Sequence, residues 1–248
     1  MTDYDGCAIS FGGGVNSVAM TVMLVTEGWR GPVVFAETGC EWPETYSYME
    51  MFEQSWLKPR GLTITRIQGA PYQRGKALKA LIDYCEQKAV WPTMFQRWCT
   101  AHWKIDPLKR WAADHDDPTM LLGIAADESH RGRGKERPLC DRLITRQGCK
   151  DIIAAEGLPI PPKSGCYMCM FQGMEQWREL WRKHPDLWAR VVRIDDAAYA
   201  DRGYTLLIDR RQRPLRLRTL AAGFAAQDTL PGLDLCDVAH LRCWACMT

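Results

Sequence analysis

The stretch Ala8-Ile9-Ser10-Phe11-Gly12-Gly13-Gly14-Val15-Asn16-Ser17 decides the fold. A short, mostly apolar run ends in three consecutive glycines, and a helical pattern follows from about Asn16. Short apolar runs closed by turn residues are buried strands. Three glycines in a row weaken any regular element, so they mark a turn whose backbone takes positive φ angles or approaches another group closely. The reading is strand, glycine-rich turn, helix.

Reading outward, the same alternation repeats. Val33-Val34-Phe35-Ala36 is a second strand, with a helix starting near Pro43. Leu62-Thr63-Ile64-Thr65-Arg66-Ile67 is a third strand and Met120-Leu121-Leu122-Gly123-Ile124 a fourth. Strands alternating with helices build a parallel sheet covered on both faces. Right-handed crossovers make it doubly wound, with ligands at the carboxyl ends of the strands. The expected class is therefore α/β, a doubly wound parallel sheet over residues 1–160. After Pro159-Ile160-Pro161-Pro162 the character changes. A Trp- and Arg-rich helical stretch spans about Met174 to Arg190. Tyr204–Ile208 and Leu215–Leu217 form a short hairpin, and a cysteine-rich tail follows. Residues 161–248 are expected to be a C-terminal appendage over the active edge of the sheet.

Composition bounds these expectations. The 248 residues are 46% hydrophobic and 25% charged, with a formal net charge of +2, which excludes disordered, collagenous and coiled-coil chains. No apolar run reaches the roughly 18 residues of a membrane helix. The acidic start Met1-Thr2-Asp3-Tyr4-Asp5 lacks the pattern of a signal peptide. A soluble, cytoplasmic protein with no membrane partner is expected. The eleven cysteines are an odd number, which points to metal binding or thiol chemistry rather than a disulfide scaffold. Eleven tryptophans either pack the core or stack on a nucleobase.

Gly12–Ser17 has the chemistry of an anion site. Glycine N–H groups can approach an anion, and the helix N-terminus adds unpaired donors and a positive dipole end. No Lys follows as in GxxxxGK[ST], so this is not a P-loop. Gly12-x-Gly14 with Glu37 about twenty residues on fits a dinucleotide fold, in which Glu37 meets a ribose hydroxyl, although Ser17 replaces the third glycine. A pyrophosphatase loop for ATP is the other functional reading, and a tight turn without a ligand is the bland one.

Ser10–Ser17 resembles the PP-loop, usually S-G-G-x-D-S, of ATP pyrophosphatases and sulfonucleotide reductases, with Gly12 for the first Ser and Asn16 where Asp is common. Four further segments resemble motifs of the phosphoadenosine phosphosulfate (PAPS) reductase-like family. They are Phe35–Gly39 with Glu41–Thr45, Arg97–Thr100 with Lys104–Leu108, Gly123-Ile124 with Asp127–Arg131, and Pro161–Cys169. All five fall in the family's order, between about residues 8 and 190. The resemblance implies that Ser10, Gly12, Gly13, Gly14, Asn16, Ser17, Glu37, Thr38 and Gly123 hold ATP or a related adenine nucleotide, with Mg²⁺ assisting. It makes Lys104 the phosphate-binding lysine.

Cys166 and Cys169 form a C-x2-C pair on a Pro/Gly-rich turn, a spacing that lets both sulfurs face one metal. Cys149 lies in a helix expected from Thr145 to Gly157, with Cys140 nine residues earlier and Cys99 in the third motif. Four thiolates hold a four-iron, four-sulfur cluster (4Fe-4S) or zinc. The resemblance to iron–sulfur sulfonucleotide reductases implies Cys99, Cys149, Cys166 and Cys169. Similarity to the ATP-pyrophosphatase component of DNA phosphorothioation makes Cys140 the reserve for Cys99. Cys7, Cys40 and Cys85 are expected to pack in the core. Cys236, Cys243 and Cys246 form a second group. Related proteins imply that Cys243 and Cys246 act as catalytic thiols that attack sulfur, carry a persulfide or close a reversible disulfide.

The glycine-rich basic loop His130–Lys135 follows the fourth strand and suits phosphate, with Arg131 as a catalytic candidate. Arg210, Arg211, Arg213, Arg216 and Arg218 give the hairpin a charge that could track a nucleic-acid backbone. Three functions stay open. The first is adenylation of a substrate with pyrophosphate release for sulfur transfer, with nucleic acid as a potential acceptor and a sulfur-donor or thiol-reductant protein as partner. The second is reduction of a sulfonucleotide with sulfite release. The third is a metal-stapled nucleic-acid-binding module.

Overall fold

The structure, a computed structural model, describes residues 4–69, 72–73, 76–77, 80–93, 96–132, 134–209 and 213–229. In chain order the main elements are β1 (Ala8–Phe11), α1 (Val15–Thr26), β2 (Val33–Glu37), α2 (Pro43–Phe52), β3 (Ile64–Gln68), α3 (Leu81–Lys88), α4 (Asp106–Ala113), β4 (Met120–Leu122), α5 (Arg146–Ala155), α6 (Met174–Lys183), α7 (Pro185–Arg202) and α8 (Leu217–Thr229). They group into two compact units. The first comprises the chain up to Ala80 and Thr100–Cys166; the second takes Leu81–Cys99 and the chain from Tyr167. The division expected after residue 160 kept Leu81–Cys99 with the sheet, whereas the contacts group that segment with the later chain.

The first unit is built on a four-stranded sheet of order β3-β2-β1-β4, parallel throughout. Its class is that expected: α/β with a parallel sheet. Ile9 pairs with Val33 and Leu121, and Val33 in turn with Ile64, so apolar residues run across the sheet in register. Helix α1 is buried from Val15 to Val25. A helix buried on every side belongs in the core rather than on a surface. Its side chains join Phe35, Phe52, Leu121, Leu139 and Ile153 in the main core, while Trp111 and Ala112 of α4 pack with Ala8 and Val34 in a second cluster. Both faces of the sheet are thus covered.

Local rules set the boundaries. Leu62 does not open β3, because its N–H donates to the Leu57 carbonyl (3.1 Å) and closes the turn at Gly61, φ +76°. Buried Glu53 then holds the start of β3, accepting from Ile64 N–H at 2.9 Å and from Arg66 at 2.8 Å. Thr145 caps α5 by accepting from Gly148 N–H.

In the second unit, the single helix expected from Met174 to Arg190 is two helices. Pro185 lacks an N–H, so α6 ends at Lys183 and Pro185 opens α7. Trp177 and Trp188 meet edge to face at 6.4 Å, and Trp188 meets Phe224 at 6.1 Å. Arg190 of α7 grips Asp83 (2.6 Å) and Glu86 (2.7 Å) of α3. Asp195 is fully buried and accepts from the N–H groups of Leu206 (3.0 Å) and Leu217 (3.1 Å). It fixes the approach to a hairpin reduced to Leu207–Ile208 and Pro214–Leu215, and also the start of α8. Of the ten tryptophans among the described residues eight are buried, which assigns most of them to core packing. No described helix is long and apolar enough to cross a membrane.

Candidate functional site

The carboxyl ends of β1 and β4 lead into one cavity of the first unit, with a volume of about 670 Å³. Ser10, Gly12, Gly14, Asn16, Ser17 and Gly123 are part of its lining. Gly13 carries the positive φ (+67°) that turns the chain from β1 into α1. A Cβ on Gly13 would meet Met49 and Thr45 of α2 at 2.9–3.0 Å, so the loop is packed from behind. Gly12 N–H donates to Ser17 Oγ (3.2 Å), which donates to the Gly14 carbonyl (3.0 Å). A Cβ on Gly14 would lie 2.3 Å from Ser164 Oγ, and one on Gly123 would lie 2.8 Å from the backbone of Ser17. The cradle is therefore as tight as glycine allows, and it opens at the N-terminus of a twelve-residue helix.

Four cationic side chains share this cavity, Lys104, Arg131, Arg146 and Lys163, with two carboxylates, Glu41 and Glu128. Glu41 is the deeper acid, its side chain 1% exposed, and it pairs with Lys104 Nζ at 3.1 Å. Glu128 accepts from Asn16 Nδ2 at 2.9 Å and from Arg131 at 3.0 Å. Two buried oxygens of the cavity lining, Asn16 Oδ1 and Glu41 Oε2, have no hydrogen-bond partner in the protein. Buried polar atoms without partners cost free energy unless a ligand satisfies them. Glycine cradle, helix N-terminus, cations and orphaned oxygens together fit a phosphate-bearing ligand with its hydrated counterion.

Lys104 and Arg131 stand in this cavity with Ser10, Gly12, Gly14, Asn16, Ser17 and Gly123. Gly13 shapes the loop from behind. Glu37 and Thr38 are not in the lining. Glu37 accepts from Gly39 N–H (2.7 Å) and from the Tyr46 hydroxyl. Burial and then this bond to Glu37 raise the Tyr46 pKa. Thr38 is buried, with its hydroxyl accepting from Cys40 N–H at 3.2 Å and 3.7 Å from Cys166 Sγ. Glu41, Glu128, Arg146, Lys163 and Ser164 are further lining residues that sequence reasoning did not single out as site residues. Four of them lie inside the quoted motifs. Arg146 carried no signal, because its place depends on where α5 begins, and there its N–H donates to Asp127 (3.0 Å).

The candidate metal ligands do not form a visible set. Among the described residues, no three His, Cys, Asp or Glu side chains are grouped to hold a metal ion. Cys149 is fully buried in the apolar core of the first unit, and burial pushes its thiol up to about 11. Cys140 Sγ donates to the Ile124 carbonyl at 3.1 Å. Cys166 Sγ lies 3.9 Å from Glu41 Oε1. Cys99 and Cys169 belong to the second unit. Cys149 thus sits among apolar side chains of the main core. Cys236, Cys243 and Cys246 lie outside the described residues. The arginine run is largely neutralised where it is described: Arg213 pairs with Asp209 (2.7 Å), and Arg216 and Arg218 both pair with Asp196.

The family model described as the phosphoadenosine phosphosulfate reductase domain matches residues 6–144. That span exceeds half the chain and contains the sheet and its glycine loop; the chain belongs to the PAPS reductase domain family. An uncharacterized protein of Methanocaldococcus jannaschii is 25% identical over 204 residues, covering 73% of this chain and 40% of that protein. The adenosine 5'-phosphosulfate reductase of Deinococcus radiodurans is 24% identical over 173 residues, 62% of each chain. An uncharacterized nin region protein of Escherichia phage lambda is 28% identical over 149 residues, 51% of this chain and 50% of that one. The chain thus spans less than two thirds of the length of each of these relatives. Among solved structures, the PAPS reductase of Candida auris in its phosphate complex has a TM-score of 0.48 at 12% identity, covering 66% of this chain and 82% of that one.

Proposed function

We propose that this chain is an adenine-nucleotide-dependent enzyme of sulfur chemistry. It binds the phosphates of ATP over Gly12–Ser17 and adenylates an acceptor with release of pyrophosphate. The observation that carries this reading is the facing of the glycine cradle by four cations, Lys104, Arg131, Arg146 and Lys163. An array of that charge suits a triphosphate, whose negative charge is spread over three groups.

In this reaction an acceptor oxygen attacks the α-phosphorus. The bond to the bridging oxygen breaks and pyrophosphate leaves with the electron pair. The loop N–H groups and the four cations stabilise charge that grows on the phosphate oxygens, and they do so from fixed positions. When bound, Mg²⁺ neutralises phosphate charge, and Asn16 Oδ1 and Glu41 Oε2 are the oxygens suited to its hydration shell. A sulfur nucleophile then attacks the activated carbon and displaces AMP.

The second reading is sulfonucleotide reduction, in which a thiolate attacks the sulfate sulfur and displaces the nucleotide phosphate, and a second thiol then attacks the sulfonated thiol's sulfur, closing a disulfide and releasing sulfite. It is supported by the relative named adenosine 5'-phosphosulfate reductase. Two assays separate the readings. Pyrophosphate release from ATP, dependent on an added acceptor, is expected under the first. Sulfite release from a sulfonucleotide with a thiol donor, and no pyrophosphate from ATP, would replace it with the second.

A further inference from the structure

We infer that Glu128 is a positioning residue that locks the basic loop to the glycine loop, and that it requires an amide, not a carboxylate, at position 16. The inference rests on the nucleotide-binding reading above. Asn16 is the second residue of α1 and is largely buried. Its Nδ2 donates to Glu128 Oε2 at 2.9 Å across 112 residues of sequence. The other oxygen of Glu128 accepts from Arg131 Nη1 at 3.0 Å. One carboxylate therefore joins the N-terminus of α1 to the loop that carries Arg131.

The chemistry of the three groups is matched. A carboxylate offers only acceptors, and both of its oxygens meet donors here. Charge-assisted bonds of this kind are roughly twice as strong as neutral ones. Arg131 is more than half exposed, and a long exposed side chain samples many rotamers unless something holds it. Glu128 holds it by the 3.0 Å bond, and both side chains line the same cavity as Gly123 and Ser17. A carboxylate at position 16 would place two acids in hydrogen-bond contact, where they cannot both stay ionised without repulsion. Asp at this position is therefore disfavoured with Glu128 in its present place. The Asn and the Glu are one unit.

Compensating substitutions test this. Four proteins are compared: the parent, Asn16→Asp, Glu128→Gln and Asn16→Asp with Glu128→Gln. In the double variant the carboxylate at position 16 accepts from the amide N–H at position 128, while the amide oxygen there still accepts from Arg131. Two readouts are taken, thermal unfolding without nucleotide and the dissociation constant for Mg-ATP by calorimetry. Asn16→Asp is expected to lower the melting temperature and weaken ATP binding by about tenfold or more. The double variant is expected to recover most of both losses. If Asn16→Asp changes neither quantity, or Glu128→Gln fails to rescue it, the linkage is wrong. If the melting temperature is rescued while ATP affinity never moves, the contact is only structural and positioning is refuted. If the parent binds no ATP, the nucleotide reading fails instead, and positioning fails with it. The unfolding data still decide whether residues 16 and 128 are coupled.

Discussion

Lys104 Nζ lies 3.1 Å from Glu41 Oε1, and the two differ sharply in exposure: 41% for the lysine side chain and 1% for the glutamate. The carboxylate is buried beside the phosphate cradle, and Lys104 is the cation placed against it. Removing the lysine leaves an anion in a site that water barely reaches. Lys104→Met is expected to destabilise the nucleotide-free protein by about 1–3 kcal/mol, the range for a buried polar group left unsatisfied. Partial exposure of the lysine keeps the cost below that of a deeply buried pair. Adding Glu41→Gln should recover most of the loss. Urea unfolding of the single and double variants measures it, and an unrescued loss shows that the pair is not what matters.

Glycine substitutions around the cradle should split by position. A Cβ on Gly123 would sit 2.8 Å from the Ser17 backbone, which cannot rotate away. Gly123→Ala is expected to cost about 1–3 kcal/mol as overpacking does, and to shift the start of α1. A Cβ on Gly12 meets nothing nearer than Ser17 Oγ at 3.8 Å, an ordinary contact. Gly12→Ala should keep the melting temperature of the parent. Equal melting temperatures for the two variants would contradict this geometry.

Alkaline stability should depend on Tyr48. Its hydroxyl donates to the Pro159 carbonyl at 2.8 Å, and burial pushes its pKa up from 10.0 to about 12. The phenol is held protonated in the folded protein and ionises more readily in the unfolded chain. Its contribution is therefore complete below pH 10 and is lost as the pH rises from about 10 toward 12. Tyr48→Phe loses one hydrogen bond, about 1 kcal/mol at neutral pH. It should also show a smaller fall in urea midpoint between pH 9 and pH 11 than the parent. An identical fall in both proteins would remove Tyr48 from the explanation.

Asp195 should prove the most sensitive acid of the second unit. Its two oxygens take the N–H groups of Leu206 and Leu217, and no water reaches the side chain. Asp195→Ala strands both donors, at about 1–3 kcal/mol each. Asp201→Ala, on an exposed residue at the end of the same helix, should cost under about 0.5 kcal/mol. Hydrogen exchange at Leu206 and Leu217 would report the change directly, with faster exchange expected only in the Asp195 variant.

Much of the sheet was legible because its signals are local. Ala8–Phe11 ends where three glycines begin, and the strand and the glycine turn are read in one stretch. Pro43 opens α2 because proline suits a first helical turn. The same rule applied to Pro185 divides the stretch read as one helix, since a proline tolerated at the start of one helix ends the one before it. Gly123 and Ser17 were legible as candidate residues and both line the cavity, but the reason Gly123 must be glycine was not legible. That reason is a contact between residues more than a hundred positions apart. Arg146 illustrates the same limit, since it reaches the cavity only through the start of α5 and the Asp127 contact. The arginine run shows the same limit from the other direction, and Arg210 and Arg211 lie outside the described residues. Charge along the sequence suggested a track for a nucleic-acid backbone, while in space Asp209 pairs with Arg213 and Asp196 with Arg216 and Arg218.

The segment from Pro159 to Gly165 is fastened at both ends to the region of α2. The Tyr48 hydroxyl holds the Pro159 carbonyl, and Trp42 N–H donates to the Gly165 carbonyl at 3.2 Å. Lys163 and Ser164 hang between these two anchors and face the cradle. The segment thus works as a ruler of fixed length. Surface loops ordinarily accept an added or missing residue, but here a single insertion would carry Ser164 past Gly14 and turn Lys163 away from the cavity. Variation in length, rather than in composition, is what this loop should not survive.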